Sequence, residues 1–290
     1  MRDLPDKLQQ IPHFVRDNNC ILVTVIFSNM SKKYLSGAGI YLAILFLVFS
    51  CSKENEHAQS IVQISTIDAL MQGVYDGTAP LSVLKSYGDF GIGTFHALDG
   101  EMIFLDGSFY QVKADGKIYK PNQNVRTPFA TVTFFHPEIN YHVKAWSFTD
   151  FKSAVDTLMI SANLFYAIKL HGTFSRVKTR SVPAQQKPYP PLVDVAALQP
   201  EFEVQTVTGT LSGFYCPPFV TGINVPGYHM HFLADDKNFG GHVLEFEMTE
   251  GTLWLDQVND FRMLLPEEGG FLDTDLTNDL TDDLGEVEGG

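Results

Sequence analysis

Three of the nine histidines in this chain have types and spacing suited to holding a metal ion. His229-Met230-His231 lies in a strand-like run. In a strand, residues two apart share a face, roughly 6.6 Å apart along it. Downstream, Asp235-Asp236-Lys237-Asn238 reads as a turn, and a four-residue loop there sets His231 directly opposite His242. Opposed residues of an antiparallel pair project to the same side, so three imidazoles would meet in one space. With no fourth ligand nearby, they match a catalytic zinc site that keeps one coordination position open, rather than a closed, Cys-rich structural site. Imidazole also suits copper or non-haem iron, and cupin-type dioxygenases pair HxH with a later Glu and His. The only carboxylates near the position of that Glu are Asp235 and Asp236.

The same alternation sorts the neighbours. If His242, Leu244 and Phe246 look inward, Val243, Glu245 and Glu247 look outward, and both glutamates are surface residues. His96, His136, His142 and His171 are scattered and read as ordinary satisfied or exposed imidazoles, while His13 and His57 fall in leader or tether sequence.

The elements that must position the histidines are mostly strands. Residues 91–120 alternate in short apolar runs broken by Asp99-Gly100, Asp106-Gly107 and Asp115-Gly116, the signature of a β-meander. Further strands are expected at 130–135, 141–146, 164–170, 174–182, 202–214, 227–233, 241–248, 252–258 and 261–265. Helical spacing marks 68–74 and 192–198. Phe151, Ala154, Val155, Leu158 and Met159 form one amphipathic stripe behind the cap candidates Ser147–Asp150. Mostly sheet with few helices predicts an α+β or mixed α/β class. The Pro-rich stretch 183–191 is the expected boundary between a domain over 66–185 and a metal-binding domain over 186–265. Residues 266–290 hold nine acidic and no basic residues and read as a solvated tail.

A net charge of −14 with no basic cluster argues against a nucleic-acid partner and favours a small-molecule site. The 44% hydrophobic content is enough for a sizeable core. Three cysteines without metal-type spacing make no disulfide framework, and Cys216, beside two prolines, reads as a small apolar side chain. Residues 30–50 carry a basic start and an apolar run too short to span a bilayer, as in a cleaved export signal. The run ends at Ser50-Cys51, which resembles a bacterial lipoprotein's lipobox, with Cys51 acylated, residues 51–65 a tether, and 1–29 the product of a wrongly chosen start.

Seven ordered blocks resemble bacterial alpha-acetolactate decarboxylases: 87–95, 98–103, 163–168, 177–180, 187–189, 227–232 and 240–243. The resemblance implies two sheet-rich α/β domains with a metal site in the cleft, commonly as a homodimer. It implies zinc on His229, His231 and His242, with Thr94, Glu101, Arg180 and a C-terminal glutamate, Glu288 or else Glu286, facing it. For Glu288 to reach the site, the acidic tail must fold back. The implied reaction converts 2-acetolactate to acetoin and CO2 through an enediolate stabilised by a Lewis acid. Arg180 would orient the departing carboxylate, and the glutamates would handle protons. The competing classes are a cupin-like metal oxygenase or lyase and a non-catalytic surface lipoprotein.

Overall fold

The computed structural model describes residues 59–288; residues 1–58, with the expected signal, lipobox and Cys51, lie outside them. The first part runs β1 (Ser60–Ile64), α1 (Ile67–Met71), β2 (Ala79–Pro80), α2 (Leu81–Leu84), β3 (Phe90–Thr94), β4 (Glu101–Leu105), β5 (Ser108–Val112), β6 (Ile118–Tyr119), β7 (Arg126–Thr127) and β8 (Ala130–Thr133). Then come β9 (Ile139–Ser147), α3 (Phe148–Leu158), β10 (Phe165–Arg180), α4 (Leu192–Ala196), β11 (Glu201–Cys216), β12 (Gly227–Ala234), β13 (Gly240–Val258), β14 (Asp260–Leu264) and α5 (Thr281–Glu288). The result is a sheet-rich α+β fold with few and short helices.

A seven-stranded sheet has the order β14-β1-β8-β3-β4-β5-β6, and a five-stranded one β10-β11-β12-β13-β9. β10 also pairs with β13, so the second sheet curls back on itself. Its longest strand, β13, runs antiparallel to β10 from the Phe165–Val258 pair to the Arg180–His242 pair. The sheets face each other across a shared apolar layer, with Ile61, Phe90 and Ile103 from one meeting Phe214, Leu233 and Val258 from the other. Burial of such side chains is the main stabilising term.

Local chemistry explains the meander and the long helix. Asp106-Gly107 joins β4 to β5 with both residues at positive φ, the geometry a two-residue hairpin with the strands' twist requires. Ser147 accepts a hydrogen bond from the Asp150 amide while the Asp150 carboxylate accepts one from the Ser147 amide, forming a capping box. Behind it, Phe151 and Val155 of α3 are fully buried against the five-stranded sheet.

Four expectations are corrected. The tether ends sooner than residue 65, because Ser60–Ile64 is a strand whose last four residues are buried. No domain boundary falls at 183–191: β9 and β10 belong to the same sheet as β11, β12 and β13, and β14 returns to the first sheet. Pro183–Pro191 instead carries the chain from β10 to α4, and Val182 and Tyr189 pack into the cluster around α1, α4 and α5. Residues 266–288 are not wholly solvated, since Leu284 and Val287 of α5 are buried in that cluster. Val243 faces the core rather than solvent, because both faces of β13 are covered here: His242 is buried on one and Val243 on the other, where a bulge at Leu244 lets it pack in the same cluster as Phe246.

Candidate metal centre and its surroundings

The hairpin between β12 and β13 pairs His231 with His242, and the turn at 235–238 sets that register. His229, two residues earlier on β12, shares their side. The three histidines offer ligand atoms that all lie within 4.8 Å of one another. His231 is fully buried and its Nδ1–H donates to the Met102 carbonyl on β4 at 2.8 Å. That bond fixes the tautomer, leaving Nε2 with its lone pair toward the other two rings. This Nε2 is buried and, among the described residues, has no hydrogen-bond partner. A buried acceptor without a partner is costly. A divalent cation would satisfy it, so the donor set fits a metal, and a carbonyl holding the far nitrogen is the usual support for a histidine ligand.

Arg180 ends β10 and sits across from His242 in the ladder. Hydrogen bonds hold the strand end in place: Thr179 Oγ1 donates to Gly240 O at 2.9 Å and Ser181 Oγ to Val112 O at 2.7 Å. Gly241, between that carbonyl and His242, has φ +133°, and a Cβ there would come within 2.5 Å of the Arg180 carbonyl. Only glycine lets the two strands close up at this point.

From the seven-stranded sheet, Thr94 and Glu101 are direct partners at the ends of β3 and β4. The Thr94 hydroxyl donates to Gly100 O at 2.8 Å, and Glu101 Oε2 lies 3.6 Å from His231 Nε2. From α5, Glu288 Oε2 lies 3.9 Å from His229 Nε2 and 3.8 Å from His242 Nε2, and this oxygen too is buried without a partner. The tail therefore does fold back, and Glu288 rather than Glu286 faces the histidines.

Burial dominates the electrostatics. It pushes the Glu101 carboxyl up to about 7, with Arg180 opposing the shift, Glu288 adding to it and the Val182 amide opposing it. Glu288 is likewise pushed up to about 7 by burial, against the pull of Arg180. His229 is lowered to about 3 by burial and then by Arg180, and His231 and His242 are held well below the usual imidazole range, burial again being the largest cause. Neutral imidazoles are the form that binds metal.

A cavity of about 50 Å³ opens beside these groups, room for only a small molecule. Arg180, Glu101, Glu288, Thr94, His229 and His242 line one part of it, and Ile67, Leu70, Leu192 and Val287 make an apolar wall. The sequence reading did not find the Met102 carbonyl, the apolar wall or Gln199, which also lines the cavity. No spacing signal marks them. Of the surface assignments, Glu245 and Glu247 are exposed, and Glu245 pairs with Arg176.

The family model described as alpha-acetolactate decarboxylase matches residues 61–278. This chain belongs to the alpha-acetolactate decarboxylase family. An alpha-acetolactate decarboxylase from Methanosarcina mazei is 48% identical over 235 residues, covering 81% of this chain and 82% of the relative. One from Methylococcus capsulatus is 47% identical, covering 79% and 88%. The crystal structure of alpha-acetolactate decarboxylase from Bacillus subtilis strain 168 superposes with a TM-score of 0.78 at 40% identity, covering 80% of this chain and all of that one. The family match ends before α5, so the position of Glu288 rests on the packing of Leu284 and Val287.

Proposed function

We propose that this member of the family decarboxylates 2-acetolactate to acetoin and CO2 with a zinc ion held by His229, His231 and His242. The observation that carries the metal is the unpaired, buried Nε2 of His231 among ligand atoms no more than 4.8 Å apart. The substrate follows from family membership together with a small cavity that combines an arginine, two carboxyls and an apolar wall. When bound, the ion supplies a Lewis acid for the oxygen on which charge collects as CO2 leaves.

The chain's own residues do the rest. Arg180, always cationic and buried beside the histidines, holds the substrate carboxylate and turns it toward its departure. Glu101 and Glu288, whose carboxyls titrate near neutrality, hold or release the proton that the enediolate carbon must gain. The wall of Ile67, Leu70, Leu192 and Val287 takes the substrate's methyl groups and excludes water. Thr94 holds the turn at Gly100 and so sets the position of Glu101.

Metal analysis of the purified protein combined with a colour assay for acetoin tests the proposal. One equivalent of zinc and acetoin from racemic 2-acetolactate are expected. Metal-free active protein, or metal-loaded protein that forms no acetoin, overturns it. The export signal, the lipid on Cys51 and a homodimer complete the proposal. The pattern over residues 30–51 supports the first two and the resemblance supports the third. Intact mass and sedimentation of the exported protein test them.

A further inference from the structure

The turn between β3 and β4 delivers Glu101 to the histidines, and its backbone is strained. Ala97 and Leu98 have φ of +60° and +58°, a conformation rare outside glycine, and residues in it persist only where their surroundings hold them. Two side chains of β5 join Thr94 in holding this turn. The Gln111 carboxamide nitrogen donates to the Asp99 carbonyl at 2.6 Å and to the Asp99 carboxylate at 3.0 Å, and Lys113 Nζ reaches the same carboxylate at 2.6 Å. Both atoms facing the amide nitrogen are acceptors, so both of its hydrogens are used. Gln111 is buried, whereas Asp99 and Lys113 are partly exposed.

Gln111 does not touch a substrate itself. It is the ladder partner of Met102, so both point away from the face that Glu101 and Val112 present to the second sheet, and it is not among the residues that line the cavity. The residue between Gln111 and Lys113 makes a second link. The Val112 carbonyl accepts the Ser181 hydroxyl, next to Arg180, at 2.7 Å, and Gly100 packs on that same carbonyl too closely for a Cβ. Three consecutive residues of β5 thus fix the approaches to both Glu101 and Arg180. We infer that Gln111 is a positioning residue for the reaction, fixing the Asp99–Gly100 turn so that the Glu101 carboxyl stands where the proton is handled. Misplacing a reacting group by about 1 Å can cost roughly a hundredfold in rate, so a hydrogen-bonded clamp one residue away has leverage on turnover. The inference rests on the role given to Glu101 in the proposed function.

The test is a double-mutant cycle on zinc-loaded protein. It combines Glu101→Gln with Gln111→Met, which keeps the length and loses both donated bonds, and runs Gln111→Leu in parallel should the first variant fold poorly. Gln111→Met should lower kcat for 2-acetolactate by about tenfold or more, with KM changed by less than about twofold and zinc still at one equivalent. With Glu101→Gln already in place, Gln111→Met should cost less than about twofold more, because the carboxyl it positions is gone. Single turnovers with enzyme in excess keep the slow variants measurable. Equal losses in both backgrounds, as general damage to the fold gives, overturn the Gln111 assignment alone, and so does a wild-type kcat in a folded Gln111 variant. A wild-type kcat in Glu101→Gln overturns the role of Glu101, and wild type that binds zinc but forms no acetoin overturns the substrate reading; either takes this assignment with it.

Discussion

The Nδ1–H of His231 on β12 donates to the main-chain oxygen of Met102 on β4 at 2.8 Å, joining the two sheets directly beneath the three imidazoles. Because the acceptor is main chain, no side-chain substitution at 102 removes it, and the orientation of the imidazole follows the packing of the sheets. The affinity for an ion held as proposed would thus be tied to that packing.

His231→Ala should therefore lose the ion and turnover together. Activity is expected to fall by at least about a thousandfold with metal below stoichiometry, since the two remaining rings do not close a site. Stripping wild type with a chelator should reproduce the loss, and added zinc should reverse it. Elemental analysis beside the acetoin assay checks both.

Arg180→Ala should separate binding of the ion from chemistry. The guanidinium is not among the candidate ligands, so metal content should match wild type while kcat falls by roughly a hundredfold or more. Arg180→Lys should recover little, because a point charge does not reproduce a two-pronged grip on a carboxylate. Near-normal turnover in either variant would remove Arg180 from its assigned role.

The metal-free protein should lose stability as pH falls below about 6.5. Folded imidazole values are depressed, so the unfolded chain binds more protons there and stability present above the ordinary histidine value is lost on acidification. Glu101 and Glu288 act with the opposite sign: their folded values are raised to about 7, so between about 4.5 and 7 the native state binds the extra protons and gains from acid. Three imidazoles outweigh two carboxyls, and Glu101→Gln with Glu288→Gln should steepen the fall. Urea titrations in chelator at pH 7 and pH 5 measure it.

Gly241→Ala should disorder the site out of proportion to its size. The added methyl meets the Arg180 carbonyl at 2.5 Å with φ at +133°, so the β10 and β13 ends must part where Arg180 and His242 are anchored. A lower melting temperature, by several degrees, and weaker zinc binding are expected. The same substitution at Gly107, with nothing within 4 Å but also at positive φ, should cost stability through its hairpin while leaving zinc affinity unchanged.

The sequence made the centre of the site readable and its surroundings much less so. The pairing of His231 with His242 was legible because turn length and two-residue alternation are local rules. The α3 cap and stripe were legible for the same reason. The boundary assigned to Pro183–Pro191 failed because proline density marks a break in regular structure, and such a break can also bridge two elements of one sheet. Val243 was misplaced because β13 is covered on both faces at His242 and Val243, which alternation along one strand does not reveal. The acidic tail looked solvated because Leu284 and Val287 are two apolar residues in a charged run, and only their tertiary partners show that they dock. Gln199 carries no motif at all, and only the folded chain brings it to the cavity.

Docking of α5 has a consequence for how this catalyst is made and lost. Among the described residues, the other polar side chains that line the cavity come from residues 94–242, and the last carboxyl arrives with Glu288. A nascent chain can complete both sheets before it holds Glu288, and a protease nicking the acidic segment after Leu265 would return it to that stage. With Glu288 in its proposed role, turnover would report a docked α5, whereas spectroscopic measures of folding would report mainly the sheets.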